Sequence, residues 1–260
     1  MLSHIDPRFS LAGLIVGACV GFSGVGGGSL MTPLLIVLFG MNPLVAVGTD
    51  LLYSVPTKIV GAFVHARQRT VDWDLVHLLA VGGVPAALVT LAILADLRRI
   101  FDVHVLEIWM RHSIGVAIVA SAVVIIFTPL LRRSSERNPS LDAPRTREHV
   151  LLIGAAVGVV VTLTSIGSGA FTLPLLLVLL TAFDARRLVG SDVAFAAILV
   201  PFAAIGHWSM GNVDLGVCGS LLLGSIPGVI LGSRLTRVIP QAWLRPALAG
   251  VLVIAGSRLV

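Results

Sequence analysis

Two short glycine-rich stretches carry the residue types that could hold a ligand. Gly26-Gly27-Gly28-Ser29 lies inside one apolar run and Gly167-Ser168-Gly169 inside another. Without a side chain, Gly lets the backbone approach a bound group. A helix that restarts after such a stretch presents unpaired N–H groups and a partial positive charge. That chemistry suits a small anion. Ser23, Ser29, Thr164, Ser165 and Ser168 add hydroxyl donors nearby. Either stretch alone reads more readily as a turn or close helix packing; two that match in a repeat favour a site.

Charged residues inside apolar runs are the next candidates. Lys58 is the only Lys and lies in the run 43–64. A basic residue at a helix centre costs about 2.5–3.5 kcal/mol on insertion scales, so it faces a cavity or a partner. It would serve as counter-charge to an anion or stand in for a coupling cation; a snorkelling or structural pairing with Asp50 or Asp192 is the alternative. Asp50 and Asp192 follow Gly48-Thr49 and Gly190-Ser191. They read as first-turn acidic residues of helices capped by Thr49 and Ser191, with proton coupling as the competing role. His65 and His207 follow at about 22 Å along the same helices, at about 1.5 Å per residue. At span ends they fit an interfacial position, or a gating or proton-carrying one.

Other chemistries fit less well. Gly21-Phe22-Ser23-Gly24 has the look of a rhomboid hydrolase motif. A Ser nucleophile needs a base within hydrogen-bond reach, whereas the His residues fall at span ends or in loops and Thr164 is the repeat partner of Ser23. No catalytic residue is assigned, and no metal or cofactor is expected. The glycine stretches lack the strand and Lys-Ser/Thr context of a nucleotide-binding loop.

The elements that must position these residues are membrane helices. The chain is 57% hydrophobic and 12% charged, with a mean hydropathy of +1.02, too few charges to cover a soluble surface. The apolar runs are 11–39, 43–64, 75–94, 105–131, 150–181, 189–205, 215–231 and 244–260. A helix needs about 20 residues to cross hydrocarbon, and helices keep every backbone group paired inside lipid. The net charge of +5 reads as loop charge facing the cytoplasm and the lipid bilayer, not as a nucleic-acid surface. Cys19 and Cys218 lie in apolar runs and predict no disulfide; no cleaved signal peptide is expected.

The chain repeats itself. The glycine stretch with Pro33 matches that with Pro174; Gly48-Thr49-Asp50 matches Gly190-Ser191-Asp192; His65 with Val71-Asp72 matches His207 with Val213-Asp214; Gly82 and Pro85 match Gly224 and Pro227. The offset is 141 residues at the glycines and 142 beyond them. Residues 1–131 form a first membrane repeat, 132–149 a basic cytoplasmic linker and 150–260 a second repeat. If all eight runs cross, Arg residues divide nine to eight between the two sides; if the first run of each half enters and leaves on one side, they divide twelve to five. Cytoplasmic loops carry the excess of basic residues. The expectation is therefore an all-α integral membrane protein of two inverted-topology repeats. Each holds a Gly-broken, re-entrant helical hairpin and three transmembrane helices, and both termini lie outside the cytoplasm.

The paired glycine elements, the segment Gly48-Thr49-Asp50-Leu51-Leu52-Tyr53 with Thr57-Lys58 and Gly61, and His65 followed by Val71-Asp72-Trp73 together resemble the sulfite exporter TauE/SafE family, also called the toluene sulfonate uptake permease family. The resemblance spans nearly the whole chain. It implies a multi-pass protein of the bacterial inner membrane that moves sulfite, organosulfonates or related anions by alternating access, outward in the direction the family name gives and open to proton coupling. A passive anion channel is the near alternative. The second half departs from the pattern, with Ser168 in place of Gly and Val200 where the first half has Lys58, so the halves need not share equal roles. Oligomeric state is not legible.

Overall fold

The computed structural model describes residues 6–23, 28–134, 141, 143–167, 169–181 and 183–235. The described residues form nine α-helices and no strand: α1 (Pro7–Ser23), α2 (Gly28–Val37), α3 (Pro43–Arg67), α4 (Trp73–Ile100), α5 (Val103–Ser134), α6 (Pro144–Thr164), α7 (Thr172–Leu179), α8 (Ala185–Ser209) and α9 (Leu215–Leu235). Four carry stretches long and apolar enough to cross a membrane: α4, residues Val103–Val124 of α5, α6 and α8. At 25 residues, α3 is as long as α8 but carries Asp50 and Lys58. Large apolar side chains such as Val89, Ile93, Val116 and Ile230 are exposed, as the outer face of a protein solvated by lipid requires. Helix covers both ends of the segment expected to be linker, since α5 runs to Ser134 and α6 begins at Pro144. Pro at a helix start has no N–H to lose there.

Polar residues outside the glycine motifs set the helix starts. The Asn42 side chain accepts from Leu44 N at 2.9 Å ahead of α3. The Asp184 side chain accepts from Arg186 N at 3.0 Å ahead of α8. Asp72 and Asp214 do the same for α4 and α9. This corrects the capping expectation: Thr49, Asp50, Ser191 and Asp192 lie about two turns inside their helices.

Thr49 and Ser191 instead join the halves. Thr49 Oγ1 accepts from Asp214 N at 3.0 Å, and Ser191 Oγ from Asp72 N at 2.9 Å. These are the same contact made twice with partners exchanged. Beside them, Gly48 presses on the Asn212 carbonyl and Gly190 on the Thr70 carbonyl, where any Cβ would collide. The start of α3 thus meets the end of α8, and the start of α8 meets the end of α3, so these two helices run antiparallel. The exchange recurs further out. Gly13 and Gly17 of α1 contact Leu221 and Ser225 of α9, while Gly154 and Gly158 of α6 contact Leu79 and Gly83 of α4. Both pairs run parallel. Lipid tails are as apolar as Leu, so such close backbone approach, with its dispersion and hydrogen bonding, holds membrane helices together.

The two ends of the α1–α2 unit come together: Phe9 stacks on Phe39 with ring centroids 4.4 Å apart. In the second half the corresponding region contributes Val150 and Leu180, both fully buried in the common core.

Candidate functional site

Asp50, Lys58 and Asp192 form a buried column between the halves. Asp50 is 0% exposed, Asp192 3% and Lys58 8%. Asp50 sits two turns from one end of the antiparallel α3–α8 pair and Asp192 two turns from the other. Lys58 lies between them along α3 and within electrostatic range of both carboxylates. Both carboxylates that the sequence offered as partners therefore stand near Lys58.

Each carboxylate faces a helix break. Thr32 Oγ1 of α2 donates to Asp50 Oδ2 at 2.6 Å, and Ser165 also faces Asp50. Asp192 faces Thr172 of α7 and the backbone of Gly169. The α6–α7 break is built from two residues with positive φ, Ser165 at 59° and Gly169 at 83°. Such a left-handed turn ends α6 and sends the chain back along the column. Thr164 Oγ1 caps it, accepting from Ile166 N at 3.1 Å. One oxygen of each carboxylate, Asp50 Oδ1 and Asp192 Oδ1, is buried without a hydrogen-bond partner among the described residues.

Of the other expected site residues, Ser23 ends α1 and Gly28 and Ser29 begin α2. Gly26, Gly27 and Ser168 lie outside the described residues. Gly167 is buried between α6 and α7, where it contacts Val157 and Val161. The two His residues stand apart from the column. His65 is partly buried, with Nδ1 2.9 Å from Thr70 Oγ1. His207 is fully buried, which corrects the interfacial expectation for it. Its Nε2 lies 2.9 Å from the Thr162 carbonyl, so that nitrogen carries the proton, and Nδ1 lies 3.4 Å from the Asn212 amide. Arg98 closes the cluster by donating to Asn212 Oδ1 at 3.1 Å.

Sequence reasoning missed Thr32, Thr172, Arg98 and Asn212. The Thr pair hid behind a slip of register: Thr32 directly precedes Pro33, whereas Thr172 stands two residues before Pro174.

A buried column of two acids and one base, lined by hydroxyls and broken helices, is equipped to bind a small charged solute and protons. The profile of the family described as "Sulfite exporter TauE/SafE" matches residues 9–259. The probable membrane transporter protein YjnA of Bacillus subtilis is 41% identical over 252 residues, covering 96% of this chain and 98% of the relative. The probable membrane transporter protein YdhB of the same organism is 27% identical over 250 residues, covering 92% and 96%. A probable membrane transporter protein of Methanocaldococcus jannaschii is 23% identical over 273 residues, covering 96% and 93%. No solved structure matches. The family description and the names of these relatives indicate membrane transporters and not enzymes, so the hydrolase reading of Ser23 falls away. By the extent of the profile match and the identity to its relatives, the chain belongs to the sulfite exporter TauE/SafE family of multi-pass membrane transporters.

Proposed function

We propose that this transporter moves small sulfur-containing anions, sulfite or organosulfonates, out of the cell across the bacterial inner membrane, by alternating access between two inverted repeats. The observation that carries this reading is the column itself. Lys58 is a basic side chain buried deep in the helical core, within electrostatic range of Asp50 of α3 and Asp192 of α8 at the junction of the halves. Broken helices facing such a junction are a recurrent way to bind ions at the midplane.

The antiparallel course of the equivalent helices α3 and α8 supports inversion, because parallel repeats would set them parallel. The Phe9–Phe39 stack supports a re-entrant α1–α2 hairpin, with chain entering and leaving at one end. Followed through the helix directions, Arg67, Arg69, Arg145, Arg147, Arg186 and Arg187 fall at one end, and Arg8, Arg98, Arg99 and Arg111 at the other. The richer end is the cytoplasmic one on the basic-residue rule.

The test is flux into liposomes carrying the purified protein. Saturable sulfite flux, inhibited by an organosulfonate and insensitive to chloride, is the expected result. Flux of chloride at the same rate would point to a passive anion channel, and folded protein moving no sulfur anion would remove the substrate class.

A further inference from the structure

We propose that Asp50 and Asp192 are proton-binding sites that load with the anion, so that each anion crosses together with protons. The inference rests on the transport reading above and adds to it the coupling ion and the atoms involved. Fully ionised, the column holds two negative charges and one positive, a net charge of −1. An anion entering there would meet repulsion in a medium of low dielectric, where like charges interact strongly. Burying an uncompensated charge is costly in itself. A proton on one carboxylate makes the column neutral, and a second, taken up as a monoanion enters, pairs that anion with Lys58 and keeps the column neutral.

The positions for those protons are visible. Asp50 Oδ1 and Asp192 Oδ1 are both buried and have no hydrogen-bond partner among the described residues, in residues 0% and 3% exposed. A carboxylate oxygen that accepts nothing from its surroundings is free to take a proton and become an O–H donor. Around Asp50 stand Thr32 of α2, Ser165 of the α6–α7 break, Lys58 and Tyr53 of α3, and Cys218 of α9. Around Asp192 stand Lys58, Thr172 and Gly169. Thr32 and Ser165 can donate to the ionised acid or accept from the protonated one. A proton fits better than a metal cation: it needs no shell of oxygen ligands, and Lys58 already holds the position between the acids.

The direction with pH follows. Raising pH removes protons, returns the column to net −1 and weakens anion binding. Lowering pH strengthens it, by up to about tenfold per pH unit for each linked proton. A sulfonate stays ionised across neutral pH, so the change belongs to the protein.

Two measurements on the full chain separate this inference from the transport reading. The first is infrared difference spectroscopy of the protein alone as pH is stepped. A buried carboxylic-acid C=O band should appear on acidification and shrink in both Asp50→Asn and Asp192→Asn. Absence of any such band that the substitutions alter overturns the inference, whatever the protein transports. The second is benzenesulfonate flux in liposomes with a pH-sensitive dye inside. Anion movement should carry protons, at a ratio lowered in each Asn variant. Benzenesulfonate flux with no proton movement, or flux that requires sodium instead, overturns the inference and leaves anion transport standing.

Discussion

Lys58 is the residue on which transport should depend most directly. Removing its charge leaves two buried carboxylates without a counter-ion, so Lys58→Met is expected to reduce sulfite flux at least a hundredfold in liposomes while the protein still elutes as a folded species in detergent. Undiminished flux would take Lys58 out of the site. Thr32 has a narrower task. Its hydroxyl is bonded to Asp50 at 2.6 Å, and a hydrogen bond to a charged group is worth about 1.5–3 kcal/mol. Thr32→Val keeps the shape and should alter the pH dependence of flux more than its maximum rate; identical pH profiles would make the bond structural. His207 is different again. Locked between the Thr162 carbonyl and Asn212, it is expected to matter for stability. His207→Leu should lower the melting temperature, whereas His65→Gln should leave both stability and flux close to wild type. Lys58, Asp50 and Asp192 were legible in the sequence because charge is rare and costly inside an apolar run. Thr32 and Thr172 were not, since a hydroxyl in such a run is common and these two are displaced by one position between the repeats.

At the scale of helices, the glycines that repeat did not all have the meaning their motifs suggested. Gly48 and Gly190 looked like the residues before a helix cap, but they are the points where α3 and α8 touch the opposite half. A sequence shows that a Gly is kept small at two equivalent positions; it does not show whether a ligand, a turn or a neighbouring backbone demands it. The helix starts were misplaced for the same reason, since Asn42 and Asp184 act as caps while Thr49 and Ser191 accept N–H groups from the other repeat. Overpacking a tight contact costs about 1–3 kcal/mol, and at both sites the obstacle is a backbone carbonyl that cannot swing aside. Gly48→Val and Gly190→Val are each expected to lower the melting temperature by several degrees. Gly219, with open space around its Cβ position, should accept Ala with no measurable change. Equal melting temperatures for all three variants would mean that the α3–α8 contact is not a rigid joint.

Across the whole molecule, the decisive question is which loops share a side of the membrane. Hydropathy alone cannot answer it, because a glycine-broken run can cross or return; basic-residue bias and the exchanged contacts between halves both favour the return. The two arrangements differ clearly at the loop after α3 and the start of α8. With re-entrant first units, the loop after α3 and the start of α8 face the same compartment, in keeping with Gly190 on the Thr70 carbonyl and with Arg187 4.0 Å from Asp72. With eight crossings, they face opposite compartments. Gln68, Arg186 and His104 are all exposed, so each can carry a single Cys in a chain whose Cys19 and Cys218 are replaced by Ala. A membrane-impermeant maleimide applied to intact spheroplasts should label His104→Cys and spare Gln68→Cys and Arg186→Cys. Inside-out vesicles should reverse the pattern. Labelling of Gln68→Cys and Arg186→Cys from opposite faces would defeat the inverted arrangement, and with it the case for alternating access through a column shared by antiparallel helices.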